Sequence, residues 1–441
     1  MKNIAIIGAG IAGISTAIYL SEFNCEITLF EKKSFLGGRS YSFIDKISNE
    51  ELNYGEHLLS ESYSLFLGIL RVLGTDNNLI KQKSLRVPFI SGASSYILDC
   101  SRFRGKLGLV YGILSLKDIS LISKIKTLQL IRNLASGAIE ITNMSCSEML
   151  NNFKIPNDII YKFWEPLIYA VLNLNPSEAA ATLLAKVFEL SLNESGKSGL
   201  IFPSVGLSAL IEPFKEYAKK MNCSILLNAE VKQIIFKNGF ASGIRTVLGE
   251  EYEFDAVVFA ANPELMPKLW TDASIEYLEF LNALEYSTII CVHLWLDEEI
   301  SELDFAAMLG TQSQWIFNMR KYRFVDDAAV AKYPHHYSII ISGANHLDHI
   351  SNDEIIKIVF DDILSLFPKF QEAKILHKQV MKIKKSTIKI TPFINKLRPE
   401  TKTSIPNLFL AGDWTQTMLP ATIEGACQSA LNVKAEILKL I

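Results

Sequence analysis

Residues 2–31 read KNIAIIGAGIAGISTAIYLSEFNCEITLFE, and this stretch decides the fold. Ile4–Ile7 is a short continuous apolar run, the pattern of a strand buried on both faces. Gly8 to Gly13 form a turn, Ile14 to Phe23 a helix, and Glu26–Phe30 a second strand. Such a βαβ opening predicts a parallel sheet with a right-handed crossover. The turn carries Gly8-x-Gly10-x-x-Gly13. The first glycine permits a tight turn, the second lets a pyrophosphate approach the backbone, and the third lets helix and strand pack closely. Free N–H groups at Ile11 and Ala12 and the positive end of the helix complete an anion site. Glu31 closes the second strand, followed by Lys32. A carboxylate there accepts from both ribose hydroxyls and disfavours a 2′-phosphate. A GxGxxG alone is also what a merely structural tight turn provides. With strand, helix and Glu31 in register, it predicts a dinucleotide site.

Two further segments separate FAD from a nicotinamide. Gly37-Gly38-Arg39 lies just past the second strand, where the glycines allow close approach and Arg39 offers a fork of donors to a phosphate. Read alone, Arg39 is an ordinary surface arginine. Ala411-Gly412-Asp413 follows the buried strand Leu408–Leu410, placing a second strand end at the cofactor. Asp413 there can accept from ribitol hydroxyls or simply cap a helix. The helix from about Thr422 to Leu440 starts with Thr422 and Ile423, whose N–H groups can face the flavin pyrimidine.

Between these ends the chain changes character. From Arg102 to Ser195 it reads as mostly helical: Leu121, Ile122, Ile125, Leu128 and Ile131 recur at helical spacing, Pro156 opens a helix, and Ser177 caps the next. Ile225–Leu227, Val231–Phe236 and Ile244–Val247 read as strands with a turn at Asn238-Gly239, and Ala256–Ala260 as a buried strand. Tyr286–Leu296 and Tyr337–Ile341 suggest a second sheet, and Asp353–Phe367 a helix ended by Pro368. The expected fold is therefore α/β: a discontinuous Rossmann-type FAD-binding domain with an inserted α+β substrate domain. The expected boundaries are 1–85, 200–285 and 386–441 for the cofactor domain, and 86–199 and 286–385 for a substrate and membrane-facing domain.

At 441 residues the chain exceeds one ordinary core, and a net charge of -3 points away from nucleic acid. Cys25, Cys100, Cys146, Cys223, Cys291 and Cys427 form no CxxC and have no metal-ligand spacing. They are expected as reduced, mostly buried thiols of a cytoplasmic protein with no metal site. Lys2 and the apolar run Ile4 to Leu20 superficially suggest a secretory signal, but the spaced glycines and missing A-x-A pattern argue otherwise. No transmembrane helix is expected.

Gly8–Gly13, Glu31, Gly37-Gly38-Arg39 and Ala411-Gly412-Asp413 resemble the amine oxidase and phytoene desaturase superfamily of flavoproteins. Asp255–Ala260 resembles its inner strand, and Val231 stands where the superfamily's backbone contacts adenine. Three segments resemble the hydroxysqualene dehydroxylases, also called squalene-associated FAD-dependent desaturases, more narrowly. Tyr54-Gly55-Glu56-His57-Leu58-Leu59 with Tyr63 is similar to their NGQHLLLGAY stretch. Trp164-Glu165-Pro166-Leu167 with Asn173 and Pro176 is similar to their W-x-PL…LNTP helix. Asp413 to Ala426 is similar to their GDWTxTGLPATIEGA ending. Asn53, Tyr54 and Met418 depart from that family, which has Asp, Asn and Gly there.

This resemblance implies that reduced FAD converts an allylic C30 alcohol to squalene in squalene and hopanoid biosynthesis. That reaction needs an apolar tunnel for a long isoprenoid and a proton donor for the departing water. His57 and Glu56 are the candidates by family position, although His57 reads equally well as a structural hydrogen-bonding residue. His335, His336, His346 and His349 read as loop and surface residues. Arg102, Arg104, Lys106, Lys117, Lys124, Lys126 and Arg132 surround Leu107, Leu109, Val110, Tyr111, Ile113 and Leu114, with Asp118 the one acid. That pattern suits a peripheral anchor on the inner membrane face, or a core helix with a solvated basic face. No second GxGxxG occurs, so the electron donor is external and unidentified. A carotenoid-type desaturase, a flavin amine oxidase and a non-catalytic flavin-binding subunit of a lipid-synthesis complex remain alternatives.

Overall fold

The computed structural model describes residues 1–92, 94–103, 105–193, 199–270 and 276–440. Arg104, one of the basic residues singled out above, lies outside them. The first strand, Lys2–Ile7, sits at the centre of a five-stranded sheet ordered Cys223–Leu227, Cys25–Glu31, Lys2–Ile7, Ala256–Phe259 and Leu408–Leu410. Every pairing in it is parallel. The uninterrupted apolar runs are explained by cover on both sides. Ile4, Ile6 and Val258 pack with the helices Ile11–Leu20, Ser64–Leu73 and Ile423–Ile437 on one face. Ala5, Ile7, Phe30, Val257 and Phe259 belong to the core on the other, where the meander Val231–Lys237, Phe240–Thr246, Glu251–Glu253 lies. Asn238 and Gly239, both at positive φ, make its tight turn.

A seven-stranded sheet takes its strands from the middle of the chain, in the order 375–388, 286–296, 335–341, 315–318, 305–308, 86–90, 95–99. Only Phe305–Met308 with Arg86–Ile90 is parallel. Ile355, Val359 and Ile363 of the helix Asn352–Leu366 pack with Ile290, Val292, Leu294 and Ile339 on one face. Residues of the other face, Cys291, Phe305, Phe317 and Ile340, join the core shared with the parallel sheet. The strands at 86–90, 95–99, 305–308 and 315–318 and the long edge strand Ile375–Ile388 were not foreseen; in the last, Lys378, Lys382, Lys384 and Lys385 break up the apolar residues on a part-exposed edge.

The helical segment is built around local exceptions. Pro166 has no N–H for the Lys162 carbonyl, and the preceding turn, Ile160–Trp164, widens into π geometry. The Tyr96 hydroxyl satisfies that carbonyl instead, at 2.9 Å. Asn173 ends the helix at φ +51°; its side chain binds Gly343 N–H and the Thr387 hydroxyl, tying this helix to the large sheet. Ser177 is not a helix cap: its N–H and hydroxyl both donate to Asn175 in a turn, and the following helix starts at Ala181.

Candidate functional site

At the carboxyl end of the parallel sheet the glycine turn leaves an open cradle, the place where open α/β sheets bind ligands. Gly8 adopts φ +106°. A Cβ on Gly13 would lie 1.9 Å from the Gly8 carbonyl oxygen, so helix and turn meet backbone to backbone. At Gly10, by contrast, a Cβ would meet nothing within 4 Å. The helix from Ile11 begins there with no side-chain cap among the described residues, leaving the first-turn N–H groups, including Ile11 and Ala12, facing that space. Glu31 is buried beside it, accepting from Ala9 N–H and Lys33 N–H, each at 2.9 Å, while Lys32 is exposed. Gly38 packs against Gly10 closely enough that a Cβ would sit 3.1 Å from its Cα. Val231, half-buried, begins the meander strand that follows Ala229, whose N–H donates to the Glu31 carbonyl.

The C-terminal segment closes the other side. Gly412 donates to the Ser429 hydroxyl, and Asp413 is buried. Arg39 and Asp413, assigned separate ligand roles from sequence, are paired with each other at 2.5 Å, and Arg39 also donates to the Ser386 carbonyl. The Asp413 charge raises the Arg39 pKa further. Buried Arg398, not singled out from sequence, donates to the carbonyls of Leu419 and Asp413 and to the Thr417 hydroxyl, fixing this loop. Thr422 caps the last helix by accepting from Gly425 N–H, directly before Ile423. Met418 sits at φ +61°, a left-handed conformation that explains why glycine suits this position.

Next to this cradle, Gly55 at φ +82° precedes Glu56 and His57. The Glu56 side chain is 5% exposed and paired with that of Arg323, 6% exposed, at 3.2 Å; Asn53 Nδ2 donates weakly at 3.4 Å. Burial holds the His57 imidazole below its usual pKa; Glu56 opposes this, while Arg39 and Arg323 reinforce it.

The reading of His336 as a surface residue is corrected by the structure. His335 and His336 lie in the strand His335–Ile341, and His336 is buried. His346 and His349 are exposed. His336 Nδ1 donates to Glu50 at 3.0 Å, its Nε2 meets His293 Nδ1 at 2.9 Å, and His293 Nε2 meets Cys291 Sγ at 3.2 Å. The network assigns the tautomers: with Nδ1–H on Glu50, His336 Nε2 accepts from His293. Burial lowers both imidazoles, overcoming the Glu50 hydrogen bond to His336. Trp295 stacks between His336 and His377 at 4.2 and 4.6 Å, and His377 reaches Asp45 at 3.1 Å. A lone histidine within an apolar strand, His293 in Tyr286–Leu296, was the available signal for this cluster. Among the described residues no group of three or more His, Cys, Asp or Glu could hold a metal.

The chain belongs to the flavin containing amine oxidoreductase family, matched over residues 11–438. It is an FAD-dependent oxidoreductase. It is 27% identical to the hydroxysqualene dehydroxylase of Sinorhizobium fredii over 97% of this chain and 96% of that one. It is 25% identical to the chloroplastic/chromoplastic zeta-carotene desaturase of Solanum lycopersicum, over 99% and 80%. An oxidoreductase from Methanosarcina mazei shares the fold with a TM-score of 0.74 at 18% identity, covering 98% of this chain and 99% of that one.

Proposed function

We propose that this enzyme reduces hydroxysqualene to squalene. The observation that carries this reading is the similarity to hydroxysqualene dehydroxylases along nearly the whole of both chains. Of the three departures from the family's motifs noted in the sequence, Met418 is exposed and Asn53 is anchored by Leu207 N–H. Reduced FAD supplies the hydride that replaces the hydroxyl. In this reading Gly8, Gly10, Ile11, Ala12 and Gly13 hold the pyrophosphate, Glu31 and Lys32 the adenosine ribose, and the Val231 backbone the adenine. Gly38, Arg39, Gly55, Gly412, Asp413, Thr422 and Ile423 surround the rest of the cofactor. The cofactor domain is 1–85, 200–285 and 386–441, and 86–199 with 286–385 receives the lipid. The core between them is rich in apolar rings, with Phe202 against Phe305 and Tyr322, and Phe305 stacked on Trp315 and Phe317. His57 and Glu56 handle the proton.

The second reading, a carotenoid-type desaturase, is favoured by the match to zeta-carotene desaturases over 99% of the chain. Incubating holoenzyme with each substrate decides between them. Hydroxysqualene plus an artificial reductant should yield squalene by gas chromatography, while oxidised enzyme should leave phytoene unchanged. Dehydrogenated polyene with no squalene would establish the second reading.

We further propose that the lipid arrives from a membrane surface. No described helix is long and apolar enough to span one. The helix Gly105–Ser115 docks through its small residues: a Cβ on Gly108 would lie 2.4 Å from Phe103 O, and one on Gly112 2.9 Å from Cys100 Sγ. Leu107, Val110 and Leu114 face out, while Ile113 turns into the core. Leu107, Leu121 and Ile122 are 67%, 65% and 66% exposed, with Phe103, Val110, Leu114 and Ile125 beside them in sequence. Arg102, Lys106 and Lys117 are exposed around them, and Lys124 Nζ folds back onto the Leu114 carbonyl. Exposed apolar side chains within a basic rim are what an interfacial anchor on anionic lipid presents.

A further inference from the structure

The reaction proposed above, on which this inference rests, consumes a proton: R–OH + H⁺ + H⁻ → R–H + H₂O. The C–O bond breaks, the proton joins the leaving oxygen, and the hydride of the reduced cofactor makes the new C–H bond. An apolar chamber that excludes water must still admit that proton.

Two buried carboxylates lie near a cavity of about 200 Å³ bounded by Glu50, Glu51, Ser204, Arg323, Asp326 and His336 among others. They are held very differently. Glu50 accepts from both terminal nitrogens of Arg320 at 2.6 and 2.8 Å, from Trp295 Nε1 at 2.8 Å and from His336 at 3.0 Å. All its acceptor capacity is taken by short bonds, so it has no reason to take up a proton. Glu56 has one charged partner, Arg323 Nη2, at 3.2 and 3.5 Å, and the distant Asn53 amide. It is the loosely held carboxylate of the two.

Arg323 stands between the cavity, which it lines, and Glu56. Its Nε and Nη1 are buried and have no hydrogen-bond partner among the described residues. Charged donors left unsatisfied in the interior are expensive, and native proteins fill such places with water. A water occupies roughly 30 Å³ in the liquid, so the cavity has room for about six, with the Glu51 and Asp326 carboxylates and the Ser204 hydroxyl on its walls.

We propose that this cavity is a hydrated proton port, and that Arg323 is a positioning residue that carries water at Nε and Nη1 and holds Glu56 at the port's inner end. A proton passes from solvent along these waters to Glu56, then to the leaving hydroxyl. Arg323 itself stays protonated throughout.

The test uses holoenzyme. Ala329 lines the port without a side-chain hydrogen bond, so Ala329→Phe plugs it while leaving every polar partner in place. Ala329→Phe and Arg323→Leu should each lower kcat for squalene formation about 100-fold, the lower end of what a positioned proton donor contributes, with KM unchanged. Arg323→Lys should recover most of the rate, and the solvent deuterium isotope effect on kcat should rise in the plugged variant. A crystal structure of oxidised holoenzyme should show ordered waters on Arg323 Nε and Nη1. Wild-type kcat in Ala329→Phe, or a dry cavity, would overturn the port whatever Arg323→Leu does. If wild-type enzyme forms no squalene, the substrate reading falls, and the water structure alone then decides the port: hydrated supports it, dry overturns it.

Discussion

Replacing Glu50 by Gln keeps the side chain's shape and removes its charge. The amide has one carbonyl oxygen, whereas the carboxylate presents two oxygens to four donors. Either orientation turns an NH₂ toward two of them: Arg320 Nη1 with His336 Nδ1, or Arg320 Nη2 with Trp295 Nε1. Arg320, whose side chain is only 12% exposed, keeps its charge and loses its counter-ion. Breaking a buried pair from one side destabilises by about 3–5 kcal/mol. An unfolding entropy of about 2.1 cal/mol/K per residue makes 1 kcal/mol worth roughly 1 °C if the chain unfolds as one unit, so Tm should fall by about 3–5 °C. Thermal unfolding followed by flavin absorbance and by circular dichroism measures it. Burial alone would raise the Glu50 pKa; the hydrogen bonds from Arg320 and His336 overcome this and hold it far below the ordinary carboxylate value of 4.5. A depressed folded-state pKa gives stability that is complete above the ordinary value of 4.5 and is lost as pH falls from there toward the folded-state value. The difference between wild type and variant should therefore shrink below about pH 4.5. A Tm within a degree of wild type at pH 7, or a gap that widens in acid, would refute the reasoning.

Gly13→Ala drives a Cβ to 1.9 Å from the Gly8 carbonyl, and should yield protein without bound flavin, read as the absorbance at the flavin band of the purified chain. Glu31→Ala should weaken FAD binding by roughly 10- to 150-fold, the loss of a charged acceptor worth about 1.5–3 kcal/mol, measured by fluorescence titration of the apoprotein. Its two backbone donors, Ala9 and Lys33, lose their partner as well, so apoprotein stability should fall too. Lys117→Glu with Lys124→Glu and Lys126→Glu should abolish sedimentation with anionic vesicles while leaving flavin absorbance intact, and salt should release the wild type. Equal binding to neutral vesicles in high salt would contradict the electrostatic part.

The parallel sheet was legible in sequence because its strands are buried on both faces and its glycines are required sterically. Ile4–Ile7 and Leu408–Leu410 announce themselves by apolar runs, and Gly13 by a contact no side chain could make. The strands at 86–90, 95–99, 305–308 and 315–318 are only four or five residues long, too short to show a period, and in Ile375–Ile388 lysines interrupt it. The polar cluster was missed for a different reason. Glu50, Arg320 and His336 each look alone like solvated residues, and only His293, inside an apolar strand, hints otherwise. Only the packing of the Ser42–Ile44 and Glu51–Asn53 hairpin region against the large sheet explains why they are buried. Likewise Arg39 and Asp413 were each legible as site residues, but not their pairing across 374 positions.

The most direct test is a single turnover. Holoenzyme reduced chemically under argon and mixed with one equivalent of hydroxysqualene should reoxidise its flavin and form one squalene per flavin, with no partner protein present. Reduced enzyme that leaves hydroxysqualene untouched, while oxidised enzyme is bleached by phytoene, would contradict the account and run the reaction the other way.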